Sequence, residues 1–250
     1  MNIKSGIERP NFKDRTGEKY ITNEGYEIEI IEYFNSLNCT IRFLYNGYTK
    51  YNVSFGCVKR GEIKNPFHIS ICGIGYFGVG YYKATVNKNT TPVYYKWVGM
   101  LQRCYNKNHQ EKHPTYIDCT VVEEWHNFQV FAKWYEKNHI EGFELDKDIL
   151  VKDNKIYSPE TCCFVPSEIN MLFSETGIKN KSLPKGVCLN NGSGKKYICT
   201  FSKMYLGKFD TIEETLKVYK EAKKQHIKEI ADKWKDLIDP RVYNILINYK

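Results

Sequence analysis

The stretch Glu144-Leu145-Asp146-Lys147-Asp148-Ile149, followed by Tyr157-Ser158-Pro159-Glu160-Thr161-Cys162 and then Ile169-Asn170, decides how the centre of this chain folds. Leu145 to Val151 carries the β-branched and apolar residues of a strand, Asp153-Asn154 supplies a tight turn, and Cys163-Phe164-Val165 makes the returning strand. Ser167 then caps a short helix that ends near Gly177. Strand, turn, strand and helix in this order set Asp146, at the end of a hairpin arm, opposite Asn170 on the helix.

Upstream of the hairpin, Trp97, Met100, Leu101 and Cys104 fall at helical spacing, as do Trp125, Phe128, Phe131 and Trp134. Their expected role is a core that holds the hairpin and helix rigid. The polar, turn-forming Asn87-Lys88-Asn89-Thr90-Thr91-Pro92 reads as one linker and Asn180-Lys181-Ser182-Leu183-Pro184 as another. The chain is thus expected to be a three-part α+β protein, with a β-rich module at 1–86, a ββα unit with supporting helices at 92–178, and a sheet with a long helix at 183–250.

In the first module Tyr26 to Ile30, Thr40 to Phe43 and Tyr51 to Phe55 alternate in polarity, separated by turn signals at Asn23-Glu24-Gly25 and Asn46-Gly47. A small barrel or curled sheet follows. Gly73-Ile74-Gly75-Tyr76-Phe77-Gly78 has the spacing of a dinucleotide loop, but Tyr81-Tyr82-Lys83-Ala84-Thr85-Val86 does not begin a helix. The glycines are better suited to a close backbone approach, to other backbone or to a phosphate. DNA contact and a packing or partner-binding role both remain open for this module.

In the last part, Lys185 to Leu189, Lys196 to Phe201 and Met204 to Phe209 read as three short strands, the first two joined by a glycine-rich hairpin. Thr211-x-x-Glu214 opens a long helix as a capping box, with Leu216, Tyr219, Ala222, His226, Ile230 and Trp234 as its buried stripe. From Lys179 through Phe209 there are seven lysines and no acid, whereas the helix mixes Glu and Lys. Such one-sided charge suits a sheet laid into a DNA groove with the helix behind it. Lys185, Lys195, Lys196, Tyr197, Lys203, Tyr205 and Lys208 are the candidate DNA-binding residues, and lysine favours phosphate contact over bidentate base reading.

Trp97, Met100 and Arg103-Cys104-Tyr105 ahead of Tyr157-Ser158-Pro159-Glu160-Thr161-Cys162 resemble phage-type HNH endonucleases over about eighty residues. Residues 61–66 and 73–78 resemble the module often found ahead of such units. The three strands and capped helix, with Tyr205-Leu206-Gly207-Lys208-Phe209 at their junction, look like the ethylene-response-factor class of DNA-binding domain. The resemblance implies a one-metal site with Asp146 and Asn170 as ligands to Mg²⁺ or Mn²⁺, Thr161 assisting, and Arg103 on a DNA phosphate. The family's Asp-His pair is Asp146-Lys147 here. A lysine, protonated near neutral pH, is expected to stabilise charge on the pentavalent phosphate and leave proton removal to another base or to solvent. His109, His113, His126 and His139 are candidates for a displaced base.

A net charge of +8 and 20 tyrosines fit a phosphate-rich partner, here double-stranded DNA. Lysine, asparagine, isoleucine and tyrosine are also what an AT-rich genome writes everywhere. Nine cysteines without paired Cys-x-x-Cys spacing point to reduced thiols in a cytoplasm, that of a bacterial host cell. Cys104, Cys119 and Cys162 with His126 can be drawn as a zinc site, as in some ββα nucleases, but lone cysteines are more often small buried hydrophobes. Residues 1–6 lack an apolar leader, and no apolar run reaches membrane-span length. The expected function is DNA binding with metal-dependent nicking or cleavage. A non-catalytic DNA-binding regulator and a phage factor that binds a host protein are the alternatives.

Overall fold

In the computed structural model, which describes residues 13–173 and 183–249, the alternation from Tyr26 to Val53 becomes an antiparallel meander. The expected helix end near Gly177, Lys179 and residues 180–182 of the second linker lie outside the described residues. Strands β1 (Lys19–Ile21), β2 (Glu27–Asn35), β3 (Asn38–Phe43) and β4 (Thr49–Val53) pair in sequence order. The register Ile28↔Phe43 and Ile30↔Ile41 gathers four fully buried apolar side chains, each worth roughly 1.5–3 kcal/mol of burial. The last expected strand stops at Val53 because the Ser54 hydroxyl accepts the Cys57 N–H at 3.3 Å and caps α1 (Phe55–Lys59), which adds Val58 to the same core.

Strands β5 (Ile69–Ile71) and β6 (Gly75–Tyr76) form a hairpin turned at Cys72 and Gly73, both at positive φ. A Cβ on Gly78 would lie 2.0 Å from the Asn127 side-chain oxygen. The glycine string thus makes a turn and a close approach to the Asn127 side chain. These elements belong to a compact unit within Met1–Tyr81 and Asn127–Gln129.

A second unit lies within Tyr82–His126 and Val130–Lys250. It opens with β7 (Thr85–Val86) and β8 (Asn89–Thr90), a hairpin whose turn residues Asn87 and Lys88 both have positive φ. The expected linker is therefore itself a hairpin. Thr91 then caps α2 (Pro92–Tyr105), which buries Trp97, Met100, Leu101 and Cys104. The Trp97 indole donates to the Trp125 carbonyl at 2.7 Å. Next come α3 (Lys107–Lys112), β9 (Thr120–Val121) and α4 (Phe128–Asn138).

The central hairpin consists of β10 (Phe143–Asp146) paired antiparallel with β12 (Cys163–Pro166), while β11 (Ile156–Tyr157), between them in sequence, pairs parallel with β9. Helix α5 (Ser167–Leu172) packs on β10 and β12 through the buried Ile169. Ser167 is its first residue; Pro166 holds the cap position and no side chain caps it.

Strands β13 (Val187–Leu189), β14 (Tyr197–Phe201) and β15 (Met204–Phe209) form an antiparallel sheet in that order, and α6 (Ile212–Trp234) packs across it. The Thr211 hydroxyl accepts the Glu214 N–H, while the Glu214 carboxylate reaches the Asp210 N–H. Helix α7 (Pro240–Ile247), not expected from the sequence, packs on α6 with Val242 and Leu246 buried. With sheet and helix both against it, α6 buries Thr215, Ile227, Ile230 and Ala231 most deeply, and the other residues of the expected stripe are half-buried. Among the described residues no helix is long and apolar enough to cross a membrane.

Candidate functional site

Strand β10 ends at Asp146 because its carboxylate Oδ1 accepts the backbone N–H groups of Asp148 and Ile149, at 2.7 and 2.8 Å. This local bond overrides the strand propensity of Ile149 to Val151. Lys147 turns inward and is 6% exposed. Its ammonium touches Asp148 Oδ1, donates to the Asn154 carbonyl at 2.8 Å and lies 5.9 Å from the Tyr157 ring centroid. The Asn154 amide donates to the Lys147 and Ile156 carbonyls at 2.8 and 2.6 Å. Lys147 and Asn154 together close the loop where a tight turn at 153–154 was expected.

Around the Tyr157-Ser158-Pro159-Glu160-Thr161-Cys162 motif, Ser158 Oγ accepts the Thr161 N–H and the Ser158 carbonyl accepts the Cys162 N–H. The Thr161 hydroxyl donates to the Ile156 carbonyl at 2.7 Å, so it holds the turn. Tyr157 is buried, and burial pushes its phenol pKa up. Its hydroxyl accepts from Arg103 Nε at 3.1 Å, and the guanidinium carbon lies 5.6 and 5.7 Å from the Tyr157 and Tyr116 ring centroids. The upstream and downstream motifs thus meet through Arg103.

Asn170 donates its amide to Glu144 Oε2 at 2.8 Å. Strand alternation puts Glu144 and Asp146 on one side of β10, so Asn170 sits beside the strand that carries Asp146 yet is bonded to its neighbour. Sequence reasoning passed over Glu144; its spacing of two residues from Asp146 was the available signal. Burial raises the Asp146 carboxyl pKa, against the two N–H bonds that lower it. The second Asp146 oxygen, Asn170 Oδ1 and the Glu144 carboxylate are oxygen donors of the kind Mg²⁺ and Mn²⁺ take. Among the described residues no three His, Cys, Asp or Glu side chains gather as a metal-binding group.

No family model, curated protein or solved structure matches this chain.

Of the cysteines drawn as zinc ligands, Cys104 and Cys162 are buried thiols whose pKa burial pushes up to about 12. His126 Nε2 lies 3.1 Å from the Val121 carbonyl oxygen. The His139 ring stacks on Tyr135 at 4.3 Å, and desolvation lowers its pKa. His109 stands 4.7 Å, ring to ring, from His113, and desolvation followed by that neighbour lowers the His109 pKa.

In the C-terminal sheet, the Cys199 thiol meets the Thr215 carbonyl at 3.5 Å and Phe201 packs on Tyr219 and His226, so these residues face α6. Alternation then puts Ile198 and Thr200 on the open face, with Lys208 opposite Ile198 and Tyr205 opposite Thr200, while Lys196 stands just before β14. Tyr205 is 59% exposed, and Lys196 and Lys208 are exposed. Tyr197 falls on the helix side, with the Lys196 ammonium 5.4 Å from its ring centroid. Lys195 pairs with Asp210 at 3.9 Å before β14, and exposed Lys203, at positive φ, occupies the β14–β15 turn. Lys185 precedes Gly186, where a Cβ would come 2.2 Å from the Tyr219 ring.

Proposed function

We propose that this protein binds double-stranded DNA through the open face of the C-terminal sheet, within a bacterial cytoplasm where its thiols stay reduced. The observation that carries this reading is the placement of Tyr205 and Lys208 on the face turned from α6, with exposed Lys195 and Lys196 just before β14 and Lys203 in the β14–β15 turn. No acid interrupts the sequence from Lys185 to Phe209. Lysines neutralise phosphates and displace counterions, and Tyr205 adds a flat contact to sugar or base. Affinity should therefore fall steeply with salt, while sequence preference stays modest. Titration of a labelled duplex at two salt concentrations, with wild type and Lys196→Ala/Lys208→Ala, tests this. Loss of affinity in the variant supports the reading, and salt-independent or absent binding refutes it.

Metal-dependent nicking is a second reading, favoured by the desolvated Asp146 carboxylate standing at the end of β10 on the side that carries Glu144, the partner of Asn170. Asp146 and Asn170 would hold Mg²⁺ or Mn²⁺, and the cation, when bound, stabilises charge on the phosphate and leaving oxygen. Lys147 is committed to Asp148 and Asn154, which removes it both from proton transfer and from the phosphate. Arg103 keeps the outer N–H groups of its guanidinium for a phosphate, its Nε being held by Tyr157. Nicking of supercoiled plasmid in Mg²⁺ or Mn²⁺, lost in Asp146→Ala and retained in Lys147→Met, would support this reading. Salt-sensitive binding with no cleavage in either metal would make the ββα unit a scaffold for a DNA-binding regulator.

A further inference from the structure

The open face of the C-terminal sheet is not basic throughout. Cys188 of β13, Ile198 of β14 and Lys208 of β15 stand opposite one another in a row across the three strands. The adjacent pair, Val187 and Cys199, is buried on the side towards α6, so strand alternation turns the row away from the helix. Cys188 and Lys208 are exposed, and Ile198 is half-buried on the central strand between them. Ile198 therefore lies on the wrong face to serve the core that α6 covers.

Resting on the reading of this face as a DNA-binding surface, we infer that Ile198 selects thymine: its branched side chain meets the thymine C5-methyl group on the floor of the major groove. Three observations carry this. First, neighbouring strands lie about 4.8 Å apart, so a row across three strands is about 10 Å wide. That width enters the major groove, roughly 12 Å wide, and is too broad for the minor groove at roughly 6 Å.

Second, the charge lies around Ile198 and not at it. Lys195 and Lys196 stand before β14, Lys203 stands after it, and Lys208 closes the row on β15. No acid falls between Lys185 and Phe209. Lysines placed before, after and beside the central strand reach the phosphates that wall the groove, which leaves Ile198 over its floor.

Third, the base edges in the major groove present hydrogen-bond donors and acceptors, and the thymine methyl is their one apolar substituent. Isoleucine returns no hydrogen bond, and the Cys188 thiol beside it behaves as a small hydrophobe. Pressed against a purine or cytosine polar edge, such a row strips water and leaves the base group unpaired, which costs affinity. Against a methyl group it buries apolar surface instead, and each methyl so buried favours binding about fourfold. Phosphate contacts thus carry the affinity and the methyl contact carries the preference, which stays modest.

The test titrates full-length protein, by anisotropy, into labelled duplexes that differ only in methyl groups: an A·T-rich duplex and the same duplex with deoxyuridine in place of every thymidine. Deoxyuridine keeps the pairing, the charge and the minor-groove edge and removes the methyl alone. A G·C duplex carrying cytosine or 5-methylcytosine is the second pair. Wild type is expected to bind the thymidine duplex about fourfold or more tighter than the deoxyuridine duplex, and the 5-methylcytosine duplex tighter than its unmethylated counterpart. Ile198→Ala should bind both members of each pair alike, with affinity still falling with salt, whereas Ile198→Val, which keeps the branched end, should retain the preference. The wild-type comparison stands whether or not the variants fold, and matched circular dichroism spectra and melting would show that they do. Salt-sensitive wild-type binding that ignores the methyl groups overturns the inference and leaves the DNA-binding reading standing; so does a preference that folded Ile198→Ala keeps. Absence of duplex binding overturns both.

Discussion

Arg103 donates its Nε–H to the hydroxyl of Tyr157 at 3.1 Å, joining two motifs that lie 54 residues apart in the chain. The bond runs from the last turn of α2 to β11, the strand that leaves the central hairpin to pair with β9. Through it the supporting helix holds the segment that carries Ser158 and Thr161.

Tyr157→Phe keeps the ring and removes only the acceptor, leaving the half-buried Arg103 Nε without a partner. The expected loss of stability is about 1–2 kcal/mol, near that of a hydrogen bond to a charged group. Urea unfolding at neutral pH measures it. Unchanged stability would mean that the bond carries no weight.

Lys147 and Asp148 should respond asymmetrically to replacement. Asp148→Ala leaves a buried ammonium with the Asn154 carbonyl as its main partner, at an expected cost of about 2 kcal/mol. Lys147→Met fills similar space and leaves behind a carboxylate that is 53% exposed, so the cost should stay below about 1.5 kcal/mol. Paired unfolding curves decide this, and the reverse order would contradict the inward placement of Lys147.

Asp146→Asn retains an oxygen for the N–H groups of Asp148 and Ile149 and removes a desolvated charge. At neutral pH it should stabilise the protein by about 0.5–2 kcal/mol, because a carboxylate disfavoured by burial is replaced by a neutral amide. Burial raises the carboxyl pKa in the folded state, so the wild-type penalty is absent below the unfolded pKa and develops as pH rises through the folded one. Melting temperatures of the two proteins should therefore converge in acid and separate towards neutrality. A constant difference across that range would contradict a raised pKa.

Much of the fold was legible where pattern and burial agree. The apolar run Cys163-Phe164-Val165 and the alternation of Tyr197 to Phe201 each became a strand, and Trp97, Met100, Leu101 and Cys104 face the core. What escaped was decided by single side chains acting on nearby backbone. Asp146 ends β10 by capturing two N–H groups, although Ile149 to Val151 has strand composition. Asn87 and Lys88 adopt positive φ and turn an apparent linker into a hairpin. At the candidate site, a hairpin arm carrying Asp146 could be read in advance, although the expected strand ran on from Leu145 to Val151 and the observed one ends at Asp146. The bond of Asn170 to Glu144 and the commitment of Lys147 to Asp148 and Asn154 could not, because they depend on side-chain directions that spacing does not fix.

The central claim is that the open face of the C-terminal sheet grips DNA phosphates. Its most direct test is anisotropy of a labelled duplex titrated with full-length protein between about 50 and about 200 mM salt, comparing wild type with Lys196→Ala and Lys208→Ala. The account predicts steep weakening with salt in wild type, and a slope of log affinity on log salt that falls by about one for each phosphate-contacting lysine removed. Binding that is absent, indifferent to salt or unchanged in both variants would contradict it.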